Sequence, residues 1–176
     1  MTQIDDEQNV VLIGMPGVGK STVGVVLAKL LNRDFIDTDV VIQSRENRSL
    51  QQIMREEGRD RFCELEERYV LSLQCRRAVI ATGGSVVYSD VAMEHLAEDG
   101  VIVHLDAPLS LVQKRVKDVG ERGVAMMPGQ TLEDLYAERQ SLYRRWARIS
   151  VSTEGRDHEE VLHQILIRLD DAEEGG

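Results

Sequence analysis

The chain has 176 residues, of which 42% are hydrophobic and 30% are charged, a composition that suits one globular domain. Its net charge of −10 repels nucleic-acid phosphate, and no apolar run is long enough to cross a membrane. Its two cysteines, Cys63 and Cys75, are too few for a disulfide framework and lack the spacing of a zinc site. We therefore expect a cytoplasmic monomer, a single domain over residues 1–176 without a nucleic-acid or membrane partner.

Short runs of β-branched residues alternate with longer helical patterns along the chain. The predicted strands are Val10–Ile13, Phe35–Ile36, Val79–Ala81, Val101–Leu105 and Ile149–Val151. This alternation is typical of an α/β fold with three layers, in which helices cover both faces of a central parallel five-stranded sheet. Ligands of such sheets bind beyond the carboxyl ends of the strands, so functional residues are expected just after each strand.

Capping signals locate two of the helices. Ser49 with Gln52 three residues later predicts a capping box, and Thr131 directly precedes a helical pattern over Leu132–Ala147. The stretch 118–130 contains three glycines and a proline without clear periodicity, which predicts a mobile lid. Residues 170–176 are acidic and small, and we expect a frayed tail there.

A phosphate-binding motif follows the first predicted strand. Its residues are Gly14-Met15-Pro16-Gly17-Val18-Gly19-Lys20-Ser21, the P-loop pattern, and Thr22 follows. The glycines let backbone N–H groups point at phosphate oxygens where a helix begins, at about Gly19. The motif predicts ATP binding, with Lys20 on the β- and γ-phosphates and Ser21 as a ligand of Mg²⁺. We expect Lys20 to face solvent when the site is empty.

Two carboxylates follow the second predicted strand, in Asp37-Thr38-Asp39. Beside a P-loop, one of them can hold Mg²⁺ through water while the other takes a proton from an attacking hydroxyl. The alternative is an acidic turn without chemistry. Asp106, at the end of the fourth strand, is a competing candidate for the metal carboxylate.

With these motifs in view, nearly the whole chain resembles the shikimate kinase family, which belongs with the nucleoside monophosphate kinases among P-loop folds. The resemblance implies a P-loop kinase that phosphorylates a small hydroxylated acceptor, shikimate, with ATP and Mg²⁺. It implies that Asp37 binds Mg²⁺ through water and that Asp39 contacts the acceptor hydroxyls as the base. Gly83-Gly84 resembles the family's glycine loop at the substrate, and Arg139 resembles the arginine that holds the shikimate carboxylate.

Three further arginines resemble residues of the family's nucleotide site. Arg115 resembles a nucleotide-contacting arginine, Arg122 resembles the lid arginine that approaches the phosphates, and Arg156 lies where the adenine-binding loop is expected. Each has an alternative as an ordinary surface charge, and Arg139 has one as part of a solvated helix face.

The resemblance weakens at the acceptor side. Cys63 stands where the family usually has a second arginine on the substrate carboxylate, and Ser85 stands where a third glycine is usual. Arg59, one helical turn before Cys63, lies where its guanidinium could reach the same volume. These departures leave open a related kinase acting on another polyol, sugar acid or amino acid, and a catalytically weak nucleotide-binding relative.

Overall fold

The computed structural model describes residues 7–119 and 124–171. The strands are β1 (Asn9–Ile13), β2 (Asp34–Asp37), β3 (Ala78–Ala81), β4 (Gly100–Asp106) and β5 (Ile149–Ser152). The helices are α1 (Lys20–Leu31), α2 (Thr38–Glu46), α3 (Leu50–Leu71), α4 (Asp90–Glu98), α5 (Leu109–Val119), α6 (Leu132–Trp146) and α7 (His158–Asp171), with a short 3₁₀ helix at Val86–Tyr88. All five predicted strands are confirmed.

The five strands form one parallel sheet in the order β2-β3-β1-β4-β5. The three central strands read as continuous apolar runs, and every residue of β1 and β3 is buried. This is the pattern of strands covered on both faces. Because all carboxyl ends lie at the same edge, the segments after β1, β2 and β3 meet there.

Two predicted helix starts are confirmed. Ser49 and Gln52 form the capping box of α3, and Thr131 forms a second one with Asp134 at α6. One feature of α3 was not predicted: Gly58, at φ 80° and ψ 177°, interrupts the helix. A positive φ favours glycine, which has no Cβ, and the kink sets the direction of the chain at Arg59.

Two predictions concern segments that are only partly described. Residues 120–123 of the predicted lid lie outside the described residues, so the lid stays a prediction. Helix α7 continues through Asp171, which corrects the start of the predicted tail by two residues because the helical hydrogen bonding extends that far. Across the two described ranges, no helix is long and apolar enough to span a membrane.

Candidate active site

A cleft of about 310 Å³ lies at the carboxyl edge of the sheet. It brings together nine of the predicted site residues: Gly17, Gly19, Lys20, Ser21, Thr22, Asp39, Gly83, Gly84 and Arg139. They come from the segments after β1, β2 and β3 and from α6, so the topology of the sheet gathers them. Gly14, Val18, Asp37, Cys63, Arg115 and Arg156 do not line this cleft.

The N-terminus of α1 differs from the other helix starts around the cleft. Helices α2, α3 and α6 are capped by the side chains of Asp37, Ser49 and Thr131, whereas α1 starts after Gly19 without a side-chain cap or an acidic residue in its first turn. The first N–H groups of a helix have no intrahelical acceptor. Those of α1 open into the cleft and suit the phosphate groups of a nucleotide.

The position of Lys20 corrects one expectation. Its side chain is only 8% exposed, and Nζ donates hydrogen bonds to the carbonyl oxygens of Gly14, at 2.8 Å, and Met15, at 2.9 Å. An ammonium group that lost water without such partners would be costly to bury, so the lysine folds back onto its own loop. Burial lowers the pKa of Lys20 to about 8, an effect that the charge of Asp39 opposes.

The two carboxylates after β2 have different environments. Asp37 Oδ1 accepts hydrogen bonds from the N–H groups of Asp39 and Val40, so Asp37 caps α2. Asp39 Oδ1 is buried without a hydrogen-bond partner among the described residues. Burial raises the pKa of Asp39 to about 6, although the charge of Lys20 lowers it. A carboxylate that titrates near neutrality is suited to accept a proton.

The glycine pair after β3 leaves no room for side chains. A Cβ on Gly83 would lie 2.9 Å from Asp39 Oδ1, and one on Gly84 would lie 2.9 Å from Arg139 Nη1. Gly83 N donates to Thr38 Oγ1 at 3.1 Å, which fixes this loop against α2. The backbone therefore forms a wall of the cleft between the carboxylate of Asp39 and the guanidinium of Arg139.

Glu66 is a residue of this region to which the sequence analysis gave no role. It is 1% exposed, and its Oε2 accepts a hydrogen bond of 2.5 Å from Ser85 Oγ. Its Oε1 has no partner among the described residues and faces Gly83. Burial raises the pKa of Glu66 to about 7. The sequence does contain a signal for Glu66: it is a single acidic residue on the apolar face of α3 that also carries Phe62 and Leu65.

Arg139 is 1% exposed although it lies on a helix rich in charged residues. Its Nε donates to Tyr88 Oη at 3.3 Å and its Nη2 donates to the carbonyl of Ala125 at 2.9 Å. The alternative of a solvated surface charge is therefore wrong. A buried guanidinium requires compensation, and no carboxylate in the two described ranges forms an ion pair with it.

The other predicted nucleotide residues are distributed unevenly. Arg115 Nη1 donates to the carbonyl of Gly17 at 3.1 Å, so it lies on the P-loop. Arg156 is exposed and donates to the carbonyl of Ser152 at 2.8 Å. Arg122 lies outside the described residues. The competing metal candidate, Asp106, accepts a hydrogen bond from Gln140 at 3.3 Å instead of lining the cleft.

Cys63 faces a separate cavity of about 260 Å³ behind the glycine loop. Glu66, Ser85 and Tyr88 also line this cavity, and Ser85 lines the main cleft as well. Burial raises the pKa of the Cys63 thiol, so it is a neutral group near neutral pH. Position 63 thus contributes a small neutral side chain to this cavity, which the carboxyl groups of Asp60, Glu64, Glu66 and Glu67 also line.

Comparison with known proteins agrees with this geometry. The family model described as shikimate kinase matches residues 16–170. A shikimate kinase of Persephonella marina is 34% identical over 92% of this chain and 99% of its own length, and one of Thermodesulfovibrio yellowstonii is 37% identical over 90% and 93%. The structure of a shikimate kinase from Acinetobacter baumannii in complex with shikimate superposes with a TM-score of 0.83 and 30% identity, covering 93% of each chain. On its fold, its P-loop cleft and these matches, the chain belongs to the shikimate kinase family.

Proposed function

We propose that this protein transfers the γ-phosphoryl group of ATP to a hydroxyl group of shikimate, giving shikimate 3-phosphate and ADP. One observation carries the proposal: Oδ1 of Asp39, buried and without a hydrogen-bond partner among residues 7–119 and 124–171, lies in the same cleft as Lys20 and Arg139. That cleft offers a phosphate site, a proton acceptor and a cation for an acidic acceptor. The relatives named shikimate kinase, one of them with shikimate bound, support the choice of substrate.

At the nucleotide end, the uncapped start of α1 and Lys20 hold the phosphates. Lys20 exchanges its hydrogen bonds to the carbonyls of Gly14 and Met15 for phosphate oxygens. Arg115, which already lies on the P-loop, adds positive charge beside them. Little covalent chemistry is required of the protein in phosphoryl transfer, so this positioning and charge neutralisation account for most of its contribution.

Ser21 and Asp37 are the residues that would hold Mg²⁺. Both offer the oxygen ligands that this cation prefers, and Mg²⁺ commonly takes one or two protein ligands together with phosphates and waters. The N–H groups of Asp39 and Val40 fix the orientation of the Asp37 carboxylate. When bound, the metal neutralises negative charge on the phosphates.

At the acceptor end, Asp39 takes the proton of the attacking hydroxyl. Gly83 and Gly84 line the cleft without side chains that would displace Asp39 and Arg139, and Arg139 binds the acceptor's carboxylate. We propose a cytoplasmic, monomeric enzyme, a setting in which the two free cysteines stay reduced.

The test is an ADP-release assay with ATP, Mg²⁺ and a panel of hydroxylated acids and polyols that includes shikimate. We expect shikimate to give the highest kcat/KM and a product phosphorylated at one hydroxyl. Preferred turnover of another polyol, sugar acid or amino acid would replace shikimate as the acceptor. ATP binding without turnover of any acceptor would indicate a nucleotide-binding relative without catalysis.

A further inference from the structure

We propose that Arg59 is a specificity-determining residue that binds the acceptor's carboxylate together with Arg139, and that Tyr88, which both guanidinium groups contact, orients them. This inference rests on the proposed function, because it concerns the acceptor of that reaction. It assigns to Arg59 the contact that the thiol of Cys63 cannot make.

The two arginines share one aromatic ring. The guanidinium carbon of Arg59 lies 4.7 Å from the centroid of the Tyr88 ring, and that of Arg139 lies 5.2 Å from the same centroid. Tyr88 Oη also accepts the hydrogen bond from Arg139 Nε. Cation–π contacts of this kind orient a guanidinium and leave its N–H donors available for an anion.

Neither guanidinium is neutralised by a carboxylate in the described part of the chain. Arg59 Nε is buried without a hydrogen-bond partner, and Arg59 forms no ion pair there, although α3 is rich in glutamates. Arg61, two residues later, pairs with Glu57 and Glu64. A buried donor without a partner and a buried guanidinium without an ion pair are costly unless a ligand supplies the anion.

The backbone and the neighbouring residue explain why Arg59 can reach this position. The positive φ of Gly58 interrupts α3 directly before Arg59. One turn later, Cys63 lines a cavity together with Tyr88, the residue whose ring Arg59 contacts from outside the cavity's lining. The charges of Arg59 and Arg139 both act to lower the pKa of the Cys63 thiol against the effect of its burial, which agrees with both guanidiniums lying near that cavity.

The chemistry selects a monocarboxylate. A guanidinium donates two parallel hydrogen bonds to a carboxylate, and a second guanidinium can bind the remaining lone pairs. Of the four carboxyl groups that line the cavity beside Cys63, three already have partners: Glu64 pairs with Arg61, Glu66 accepts a hydrogen bond from Ser85, and Glu67 accepts one from Ser89. Asp60 is the fourth, and the raised pKa of Glu66, about 7, limits its negative charge near neutral pH. We therefore expect the pair to distinguish a carboxylic acid from its uncharged analogue.

The experiment compares shikimate with an analogue in which a primary alcohol replaces the carboxylate. We expect Arg59→Ala to raise the KM for shikimate about tenfold or more, the size of one charge-assisted contact, and to leave the KM for ATP unchanged. The KM for the alcohol analogue should change less than twofold. Arg61→Ala is the matched control, because it removes an arginine of the same helix whose exposed ion pairs contribute little.

A rescue arm separates binding from folding. Cys63→Arg in the Arg59→Ala background should lower the KM for shikimate most of the way back to the wild-type value, because it places a guanidinium beside the same cavity. Arg59→Lys should give an intermediate KM, since an ammonium keeps the charge and loses the bidentate geometry. Thermal midpoints of all variants should lie within a few degrees of each other.

The failure of this inference is distinguishable from failure of the proposed function. Absent turnover of shikimate by the wild type contradicts the function, and equilibrium binding of shikimate and the alcohol analogue then tests the inference. A shikimate affinity that Arg59→Ala leaves unchanged overturns the inference, and so does an equal loss for both ligands. Binding of neither ligand to the wild type overturns both proposals.

Discussion

The nucleotide half and the acceptor half of the cleft differ in how their buried polar groups are satisfied. In the nucleotide half, Lys20 donates to Gly14 and Met15, and Arg115 donates to Gly17. In the acceptor half, one oxygen of Asp39 is buried without a partner among the described residues, and so are one oxygen of Glu66 and Nε of Arg59, which lie behind the lining of the cleft. The nucleotide half must exchange internal hydrogen bonds for hydrogen bonds to its ligand. The acceptor half instead retains unused hydrogen-bonding groups that a polar ligand can satisfy.

This contrast indicates where each half obtains its selectivity. Backbone N–H groups and a lysine recognise phosphate through charge, which any nucleoside triphosphate supplies. Buried unpaired groups discriminate more strongly, because a ligand without the matching hydroxyl or carboxylate leaves them unsatisfied. We infer that acceptor identity depends on Asp39, Glu66 and the Arg59–Arg139 pair, and the following changes test this division.

Replacement of Lys20 should have the largest effect. In the proposed reaction Lys20 neutralises charge on the transferred group, so we expect Lys20→Met to lower kcat by at least about 10³-fold. Nζ also bonds two carbonyls of the P-loop, and the loss of these bonds opposes the relief of the burial cost that lowers the pKa of Lys20, so stability should change by less than about 2 kcal/mol. Steady-state kinetics and urea unfolding measure the two effects, with the exposed Lys29→Met as the control. Turnover within a few-fold of the wild type would contradict the assignment.

Asp39→Asn should affect the acceptor half selectively. An amide cannot take the acceptor's proton, so we expect kcat to fall about 10²–10³-fold while the Kd for ATP changes little. In the wild type, kcat/KM should decline as the pH falls through about 6, because protonation removes the base. Asp34→Asn, at the exposed start of β2, is the control. An equal loss of ATP affinity would place Asp39 on the metal instead.

Ser85→Ala tests whether the acceptor half depends on the position of Glu66. Loss of the Oγ donor leaves both oxygens of this buried carboxyl group unpaired, which should destabilise the protein by about 1–3 kcal/mol. The KM for the acceptor should rise while that for ATP stays constant. Ser141→Ala, which removes an exposed hydroxyl on α6, should cost less than about 0.5 kcal/mol. A shared increase in both KM values would show that the halves are not independent.

His104 should give the smallest effect, on stability alone. It stacks on Tyr143 with ring centroids 5.0 Å apart, and Tyr143 Oη donates to the carbonyl of Gly84. Burial lowers the pKa of His104 to about 4 from an ordinary 6.5. Between those values the unfolded chain binds a proton that the folded protein excludes, so this histidine lowers stability as the pH falls through that range.

The measurement is urea unfolding at pH 7.5 and at pH 5. Glu66 has a folded pKa raised to about 7, so its contribution has the opposite sign and grows as the pH falls in this range. For this reason, the pH dependence of stability in the wild type alone does not isolate the contribution of His104. His104→Gln should reduce the acid-induced loss of stability by about 1–2 kcal/mol, and the exposed His163→Gln should leave it unchanged. An unchanged loss in His104→Gln would mean that the ring is protonated in the folded protein.

The sequence by itself determined the sheet, the P-loop and the two helix caps at Ser49 and Thr131. Each is encoded locally: continuous apolar runs specify buried strands, glycines specify a phosphate-binding turn, and a hydroxyl with a partner three residues on specifies a helix start. The motifs also indicated that Asp39, Gly83, Gly84 and Arg139 belong to one site, and the fold places them in one cleft.

Only the tertiary structure decided the burial and pairing of the ionisable groups. That Lys20 bonds its own loop, that Glu66 is buried against Ser85, and that Arg59 and Arg139 share Tyr88 depend on residues far apart in the chain. A pKa reflects all surrounding charges and the loss of water, which no local pattern encodes. The spacing of the sequence had placed Arg59 one helical turn before Cys63, whereas the kink at Gly58 and the contact of Arg59 with Tyr88 depend on the fold.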